Sequence, residues 1–255
     1  MQAAGDVKGV LRHGRQYRKV GYRRENMELQ VIASIRTDFQ TKFGIPRQSG
    51  LAETKAEIIF EPEFASEEAV RGLEGYSHIW LIWEFSENAG KPYHPTVRPP
   101  RLGGNTRVGV FATRSPFRPN PIGLSSVRLD AVENREGMGP VLHVSGADLM
   151  DGTPIYDIKP YIPYADCHPD AKGGFTDTTE RKTLRVTCAP DAFSKAADMT
   201  EEQIRVLKQV LAQDPRPSYQ KDPERVYGMA YGGYEVKFRV EGECLTVLSV
   251  VPEQH

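Results

Sequence analysis

Residues 95–123 hold five arginines, no acidic residue and many prolines and glycines. The arginines are Arg98, Arg101, Arg107, Arg114 and Arg118. A guanidinium is a planar fork that binds carboxylate or phosphate oxygens through two hydrogen bonds and stacks on flat rings. Proline fixes φ, and Gly103 and Gly104 permit close backbone approach, so we expect rigid loops around a short strand at 107–112. The pattern predicts an anion site; the alternative is a set of solvated arginines paired with acids elsewhere in the fold.

Several other chemistries lack their sequence patterns. No G-x-G-x-x-G follows a predicted strand and no phosphate-binding G-x-x-x-x-G-K-[ST] occurs, which disfavours a Rossmann cofactor site and a P-loop. Cys167, Cys188 and Cys244 lie far apart without C-x-x-C spacing, so we expect no disulfide framework, no metal and a reducing cytoplasm. The sequence has no Ser-His-Asp spacing and no metal-binding cluster that would support a hydrolase of a nucleotide-like substrate.

The formal net charge of −1 over 255 residues hides a strong separation of charge. Residues 1–26 sum to +5 and residues 88–129 to +7, the latter without a single acid, so the rest of the chain carries −13. A near-neutral total disfavours a broad nucleic-acid surface, but this distribution leaves a local basic site open.

Short β-branched or aromatic runs bounded by Gly, Pro, Asn or Asp dominate the chain after residue 28. They predict strands at 29–36, 56–61, 77–85, 107–112, 122–130, 141–145, 183–187, 235–240 and 244–250. Helices are predicted at 67–73, after Ser66 as N-cap, and from a capping box at Thr200 to before Asp214. Strands joined without intervening helices indicate a mainly β protein, an antiparallel β-barrel with a small α+β C-terminal unit.

This organisation predicts three segments. Residues 1–26 have no strand or helix period and are expected to be a basic, disordered leader. Residues 27–190 form the barrel domain, and residues 191–255 form the C-terminal unit, with a soft boundary near Pro190. No apolar run approaches the roughly 20 residues needed to cross a bilayer, so no membrane partner is expected.

The basic segment also resembles the signature of a known family. Its sequences TVRPPRLGGN at 96–105 and GVFATRSPFRPNPIG at 109–123 resemble those of the TrmO family. Supporting matches are PRQ at 46–48, RGLE at 71–74 with Ser77 and His78, DL at 148–149 with DGTP at 151–154, DIKPY at 157–161, and DPRP at 214–217 with Tyr219. The resemblance runs in the family's order from about residue 29 to 240.

The resemblance implies an S-adenosylmethionine-dependent tRNA methyltransferase, built on a β-barrel and active as a homodimer. The implied substrate is N6-threonylcarbamoyladenosine at position 37 in the tRNA anticodon loop, which is methylated on N6. The alternative is a non-catalytic β-barrel module that binds RNA or a nucleotide. Such a module would share every basic residue with the methyltransferase and would differ from it only at the pocket for the methyl donor.

The resemblance also implies site residues. The cofactor-binding residues are expected to be Pro46, Arg47, Gln48, Ser86, Glu87, Arg114, Leu124, Ser145, Gly146, Ala147 and Asp148. Among them, Arg114 or Arg47 is expected to bind the carboxylate of S-adenosylmethionine. The carbonyl oxygens of residues 145–147 are expected to lie near its adenine. The substrate-binding residues are expected to be Arg98, Arg101, Arg107 and Arg118, which suit the carboxylate of the threonylcarbamoyl group, together with Asp214, Arg216 and Tyr219. Catalytic candidates are His78, Asp148 and Tyr219, and none of them is singled out as the base.

Overall fold

The computed structural model describes residues 28–179, 182–217, 220 and 222–253. The predicted leader at 1–26 lies outside them. The strands are β1 (Ala33–Thr37), β2 (Lys55–Phe60), β3 (His78–Glu84), β4 (Thr96–Val97), β5 (Val108–Gly109), β6 (Ile122–Arg135), β7 (Gly139–Ser145), β8 (Pro154–Pro160), β9 (Arg185–Cys188), β10 (Tyr227–Tyr231), β11 (Tyr234–Glu241) and β12 (Cys244–Pro252). The helices are α1 (Glu67–Val70), α2 (Pro163–Asp166), α3 (Phe175–Thr178) and α4 (Glu201–Ala212).

Six strands close into an antiparallel barrel in the order β1-β2-β7-β6-β3-β8, which confirms the predicted fold class. Side chains alternate between the two faces of each strand, so every second residue of an apolar strand enters the interior. In β3, Ile79, Leu81 and Trp83 are buried in this way. Antiparallel pairing brings the end of β3 to the same rim of the barrel as the starts of β6 and β8.

The C-terminal unit is a four-stranded sheet in the order β10-β11-β12-β9, with α4 packed against it. α4 starts at the predicted capping box, where Thr200 Oγ1 accepts a hydrogen bond from the Gln203 backbone N–H. β9 pairs with β12 in parallel, so this sheet includes residues on the N-terminal side of Pro190. After residue 190, the sequence predicts only the two strands at 235–240 and 244–250 in this unit.

The loop between β1 and β2, residues 38–54, joins the barrel to the C-terminal unit; we call it the bridging loop. Phe39 is 1% exposed and packs edge-on against Tyr231, with ring centroids 5.7 Å apart. Phe43 stacks on Phe238 at 6.4 Å. Both aromatic rings therefore belong to the core of the C-terminal unit although the loop begins and ends in the barrel.

The strand expected at 29–36 begins only at Ala33, the strand expected at 122–130 continues to Arg135, and two further predicted elements turn into 3-10 turns over part of their length. The strand expected at 107–112 is only Val108–Gly109, followed by a 3-10 turn over Val110–Ala112. The helix expected at 67–73 ends at Val70, because the chain enters the left-handed region at Gly72, with φ 86°, before a 3-10 turn over Leu73–Gly75. Among the described residues, no helix is long and apolar enough to cross a membrane.

Candidate functional site

A cavity of about 440 Å³ opens at the rim of the barrel where β3 ends and β6 and β8 begin. Its walls come from the bridging loop, the 3-10 turn Ser86–Asn88, the loop before β6 and the loop before β8. Of the residues predicted to bind the cofactor, it is lined by Pro46, Arg47, Gln48, Ser86, Glu87, Arg114, Leu124 and Asp148. Arg118, predicted to bind substrate, also lines it.

A chain of hydrogen bonds runs along the wall of the cavity from an indole to a carboxylate. Trp83 Nε1 donates to Ser125 Oγ at 3.0 Å, and Ser125 Oγ donates to Asp148 Oδ1 at 2.6 Å. The indole also packs against Phe85, with ring centroids 4.3 Å apart. These contacts join a flat apolar surface to an acceptor-rich carboxylate within one pocket.

Burial raises the pKa of Asp148 above the ordinary aspartate value, because desolvation disfavours the charged form. The hydrogen bond from Ser125 and the positive charge of Arg114 act in the opposite direction and lower the pKa. A carboxylate with a raised pKa at a cavity wall is a candidate for proton transfer.

Gly123 also lines the cavity, where it lies directly against the Trp83 indole. It is paired with Trp83 across β6 and β3, and a Cβ at this position would lie 2.2 Å from the Trp83 ring. No side chain larger than hydrogen fits without moving the indole.

Arg114 also lines the cavity. Its Nη1 donates to Gln48 Oε1 at 2.5 Å, and Gln48 Nε2 in turn donates to the Arg47 carbonyl at 2.5 Å. This contact holds the bridging loop and the arginine-rich segment together, since the two lie 66 residues apart in sequence.

Arg47 extends from the cavity to the C-terminal unit. Its Nη2 donates to the carbonyls of Asp214 and Arg216, both at 3.4 Å. Within the described part of the chain, the Arg47 guanidinium forms its hydrogen bonds with this turn, so Arg114 is better placed than Arg47 to meet a ligand carboxylate.

Two of the residues predicted to bind substrate form a pair with each other. Arg216 donates through Nε to Asp214 Oδ1 at 2.8 Å and through Nη2 to Oδ2 at 3.0 Å, and its side chain is only 12% exposed. The guanidinium fork is thus used within the turn itself. Tyr219, predicted beside them, lies outside the described residues.

The arginines of the 95–118 segment keep their charges available. Arg107 Nη1 donates to Thr96 Oγ1 at 2.9 Å, and Arg118 Nη1 donates to the carbonyls of Val110 and Thr113 at 3.2 and 2.8 Å. In the described ranges, none of Arg98, Arg101, Arg107, Arg114 and Arg118 forms an ion pair. The alternative of arginines paired with acids elsewhere finds no support in these ranges.

Other predicted site residues lie outside the cavity. Ser145 and Ala147 are buried, the Gly146 carbonyl accepts from Gly50 N–H at 2.9 Å, and the Ala147 carbonyl accepts from Thr54 Oγ1 at 2.7 Å. These residues hold the loop that carries Asp148.

His78 is at the start of β3, whereas the cavity is at its end, roughly 20 Å away at about 3.3 Å per residue. Its Nδ1 lies 3.0 Å from Ser77 Oγ, and its ring faces Tyr161. The structure does not bring it to the cavity of the same chain.

Sequence reasoning missed the aromatic wall of the cavity. Trp83, Phe85 and Ser125 read as ordinary strand residues, because their alternation is that of any half-buried strand. The sequence feature that could have indicated this wall is the pair of aromatic residues, Trp83 and Phe85, directly before the predicted site residues Ser86 and Glu87.

The residues present fit an S-adenosylmethionine donor. The cavity falls in the usual size range of small-molecule sites, and it combines apolar aromatic surface with a few polar groups of both signs, as a donor with adenine, amino and carboxylate ends requires. In the part of the chain that the structure describes, no group of three or more His, Cys, Asp or Glu is placed to hold a metal ion.

Fold and site together define a six-stranded β-barrel protein with a ligand cavity at one rim of the barrel. Its likeness to known proteins is extensive. The family model of the tRNA-methyltransferase O N-terminal domain matches residues 34–167, and that of the TrmO C-terminal domain matches residues 181–253. The chain belongs to the TrmO family.

Relatives match over most of their length. The tRNA (adenine(37)-N6)-methyltransferase of Escherichia coli is 37% identical over 234 residues, covering 89% of this chain and 99% of the relative. The protein of that name from Eikenella corrodens is 49% identical over 65% of this chain and 92% of its own length. A crystal structure of TrmO superposes with a TM-score of 0.72 at 35% identity, covering 88% of this chain and 99% of that one.

Proposed function

We propose that this protein is an S-adenosylmethionine-dependent tRNA methyltransferase that methylates N6 of N6-threonylcarbamoyladenosine at position 37. One observation carries the proposal: a single cavity brings together an aromatic wall, a partly buried carboxylate and an arginine free of ion pairs among the described residues. Membership of the TrmO family, and the name that its Escherichia coli and Eikenella corrodens relatives bear, support the same reaction.

In this proposal the cavity holds the donor, which supplies an electrophilic methyl group on a sulfonium. Arg114 would bind the donor's carboxylate, because its guanidinium reaches the cavity and is held there by Gln48. Trp83, Phe85 and Leu124 would cover its apolar parts. The protein's main contribution is to align the acceptor nitrogen with the methyl group in a geometry close to that of the transition state.

Asp148 would take the proton that N6 must lose. The acceptor nitrogen is urea-like and weakly basic, so it becomes nucleophilic only as its proton passes to a nearby base. Asp148 would accept the N6 proton while the methyl group passes from the donor's sulfur to N6, with the carbon–sulfur bond breaking and the sulfur leaving as a neutral thioether. Of the three catalytic candidates, Asp148 alone is seen at the cavity in the described structure.

The arginines of the 95–118 segment would read the acceptor. A threonylcarbamoyl group adds a carboxylate to the base, and Arg98, Arg101, Arg107 and Arg118 carry cations that are unpaired with acids in the described ranges. Specificity then arises because an unmodified adenosine leaves such a cation without its partner. The acceptor site would lie in the anticodon loop, whose unstacked bases are accessible to side chains.

The chain is proposed to act as a homodimer in the cytoplasm, as the resemblance to its family implies. Light scattering of the purified protein measures this directly, and a mass equal to one chain at working concentrations would contradict the dimer. The proposed barrel and C-terminal domains are residues 27–190 and 191–255, although the pairing of β9 with β12 brings residues before this boundary into the C-terminal sheet.

Mass spectrometry of tRNA nucleosides tests the reaction. The protein is incubated with donor and tRNA that carries or lacks the threonylcarbamoyl group, and we expect one added methyl only in the modified nucleoside. Equal methylation of both tRNAs would contradict the role given to the arginines, and no methylation of either would overturn the proposed function.

Arg114→Ala tests the donor site. We expect a folded protein whose affinity for S-adenosylmethionine, measured by calorimetry, falls by at least tenfold, because a charge-assisted bidentate contact contributes about 1.5–3 kcal/mol. Arg185→Ala, on an exposed position of β9, is the matched control and should bind the donor as the wild type does. Unchanged donor affinity in Arg114→Ala would remove this residue from the site.

A further inference from the structure

Phe111 is a large aromatic side chain that lies on the surface without packing into either core. It is 71% exposed, the second most exposed large apolar side chain in the described residues. A phenyl ring in water forfeits most of its hydrophobic stabilisation, and this ring lies in the middle of the 3-10 turn Val110–Ala112, within the acid-free basic segment 88–129.

Arg118 covers one face of the Phe111 ring. The Arg118 guanidinium lies over one face of the ring, 5.6 Å from its centroid, and its Nη1 is anchored by the carbonyls of Val110 and Thr113. One face of Phe111 is thus covered by a cation that is itself fixed to the backbone, and the exposure of the side chain leaves the other face open.

We propose that Phe111 is a stacking platform for a base of the tRNA anticodon loop that flanks the target adenosine; this rests on the proposed function. Arg118 lines the cavity and Phe111 does not, so the ring lies just outside the place where the target base would meet the methyl donor. A flat ring at that position suits the neighbouring base, since stacking on aromatic side chains accepts any base.

The charge around the ring favours RNA over a second copy of the chain. Residues 88–129 carry +7 with no acidic residue, and the arginines near the ring form no ion pair within the described ranges. A two-fold contact centred on Phe111 would place this segment against itself and bring like charges together. A phosphate backbone supplies the opposite charge, and its unstacked bases supply the flat surface.

Phe111→Leu is the decisive variant, because it keeps apolar bulk and removes the ring. We expect KM for the modified tRNA to rise by about 5- to 100-fold, the range over which stacking of one base changes binding. Donor affinity by calorimetry and thermal stability should stay at wild-type values, and Phe111→Trp should restore the wild-type KM. Tyr164→Leu, at a 90% exposed tyrosine in α2 beyond the other end of the barrel, is the matched control.

Three outcomes would overturn the inference. One is a wild-type KM for tRNA in Phe111→Leu; another is failure of Phe111→Trp to restore it. The third is a halved mass of Phe111→Leu in light scattering, which would show that the ring serves contact between two copies. Failure of the wild-type protein to methylate any tRNA would instead refute the proposed function. Binding of Phe111→Trp to the modified anticodon stem-loop, followed by tryptophan fluorescence, still tests the platform in that case.

Discussion

At the scale of single residues, Ser125 links the two chemically distinct parts of the cavity. Its hydroxyl accepts from the Trp83 indole and donates to Asp148, so one oxygen orients both groups. Ser125 thereby acts through Asp148 as a positioning residue, and its contribution should appear in the pH dependence of the reaction more clearly than in donor binding.

Ser125→Ala should move the acid limb of the rate profile to higher pH. The hydroxyl lowers the pKa of Asp148, so its loss leaves burial less opposed and the pKa rises further. Asp148 accepts a proton only when ionised, so the rate falls as the pH drops through its pKa. Because the pKa is higher in the variant, this fall begins at a higher pH than in the wild type. The measurement is kcat for tRNA methylation from pH 5 to 9.

The control for this variant is Ser126→Ala, which changes the next residue along β6, at a position outside the cavity lining. Its profile should match the wild type. An acid limb of Ser125→Ala that stays in place or moves to lower pH would show that Asp148 is not the titrating base.

The sequence predicts part of the site and misses part of it for a physical reason. Gln48, Arg114 and Asp148 are expected from the resemblance to the family's motifs, and Arg114 also belongs to the basic Pro- and Gly-rich segment that composition alone makes conspicuous. Trp83 and Ser125 are ordinary by type, and only the pairing of β3 with β6 brings them to one wall of the cavity. Register between distant strands is a non-local property that no short motif carries.

At the scale of elements, the wall of the cavity depends on how closely β6 approaches β3. Gly123→Ala would place a methyl group where the Trp83 ring now lies, so the indole must move or the strands must separate. We expect a loss of about 1–3 kcal/mol in the free energy of unfolding and weaker donor binding, because overpacking strains a close-packed interior.

Chemical denaturation and calorimetry with the donor measure the two effects. Gly75→Ala is the matched glycine control, since a Cβ there meets no atom within 4 Å. A Gly123→Ala variant with unchanged stability and donor affinity would show that the pocket tolerates movement of the indole.

The elements that the sequence missed have proline or glycine where strands usually lack them. Pro154 and Pro160 are the first and last residues of β8, and Gly228 lies within β10. The sequences of both strands therefore resemble loops, although both strands pair with neighbours in their sheets. Conversely, the apolar run at 107–112 breaks after Gly109 and turns into a 3-10 helix. Local propensity decides neither case, because pairing with distant strands outweighs it.

At the scale of the whole molecule, the barrel and the C-terminal unit share one stretch of chain. Besides Phe39 and Phe43, the bridging loop holds the C-terminal unit through Glu53, whose backbone N–H donates to Gln209 Oε1 at 2.8 Å and whose carboxylate pairs with Arg205. The two units should therefore unfold together.

Phe39→Ala should lower the free energy of unfolding by about 3–5 kcal/mol, the usual loss for a buried phenylalanine. Differential scanning calorimetry should show one transition in both the wild type and the variant, shifted to lower temperature in the latter. Val226→Ala, at a 51% exposed position, is the control and should change the transition little. Two separate transitions in the wild type would show that the units fold independently.

The bridging loop also bears on how this protein can be recombined with its relatives. Its first half lies in the core of the C-terminal unit, while Pro46, Arg47 and Gln48 in its second half line the cavity. A chimera that exchanges the C-terminal unit at a sequence boundary near residue 180 would leave Phe39 and Phe43 facing a foreign core. Grafting the C-terminal unit of a relative onto this barrel therefore requires residues 38–45 of that relative to be transferred with it.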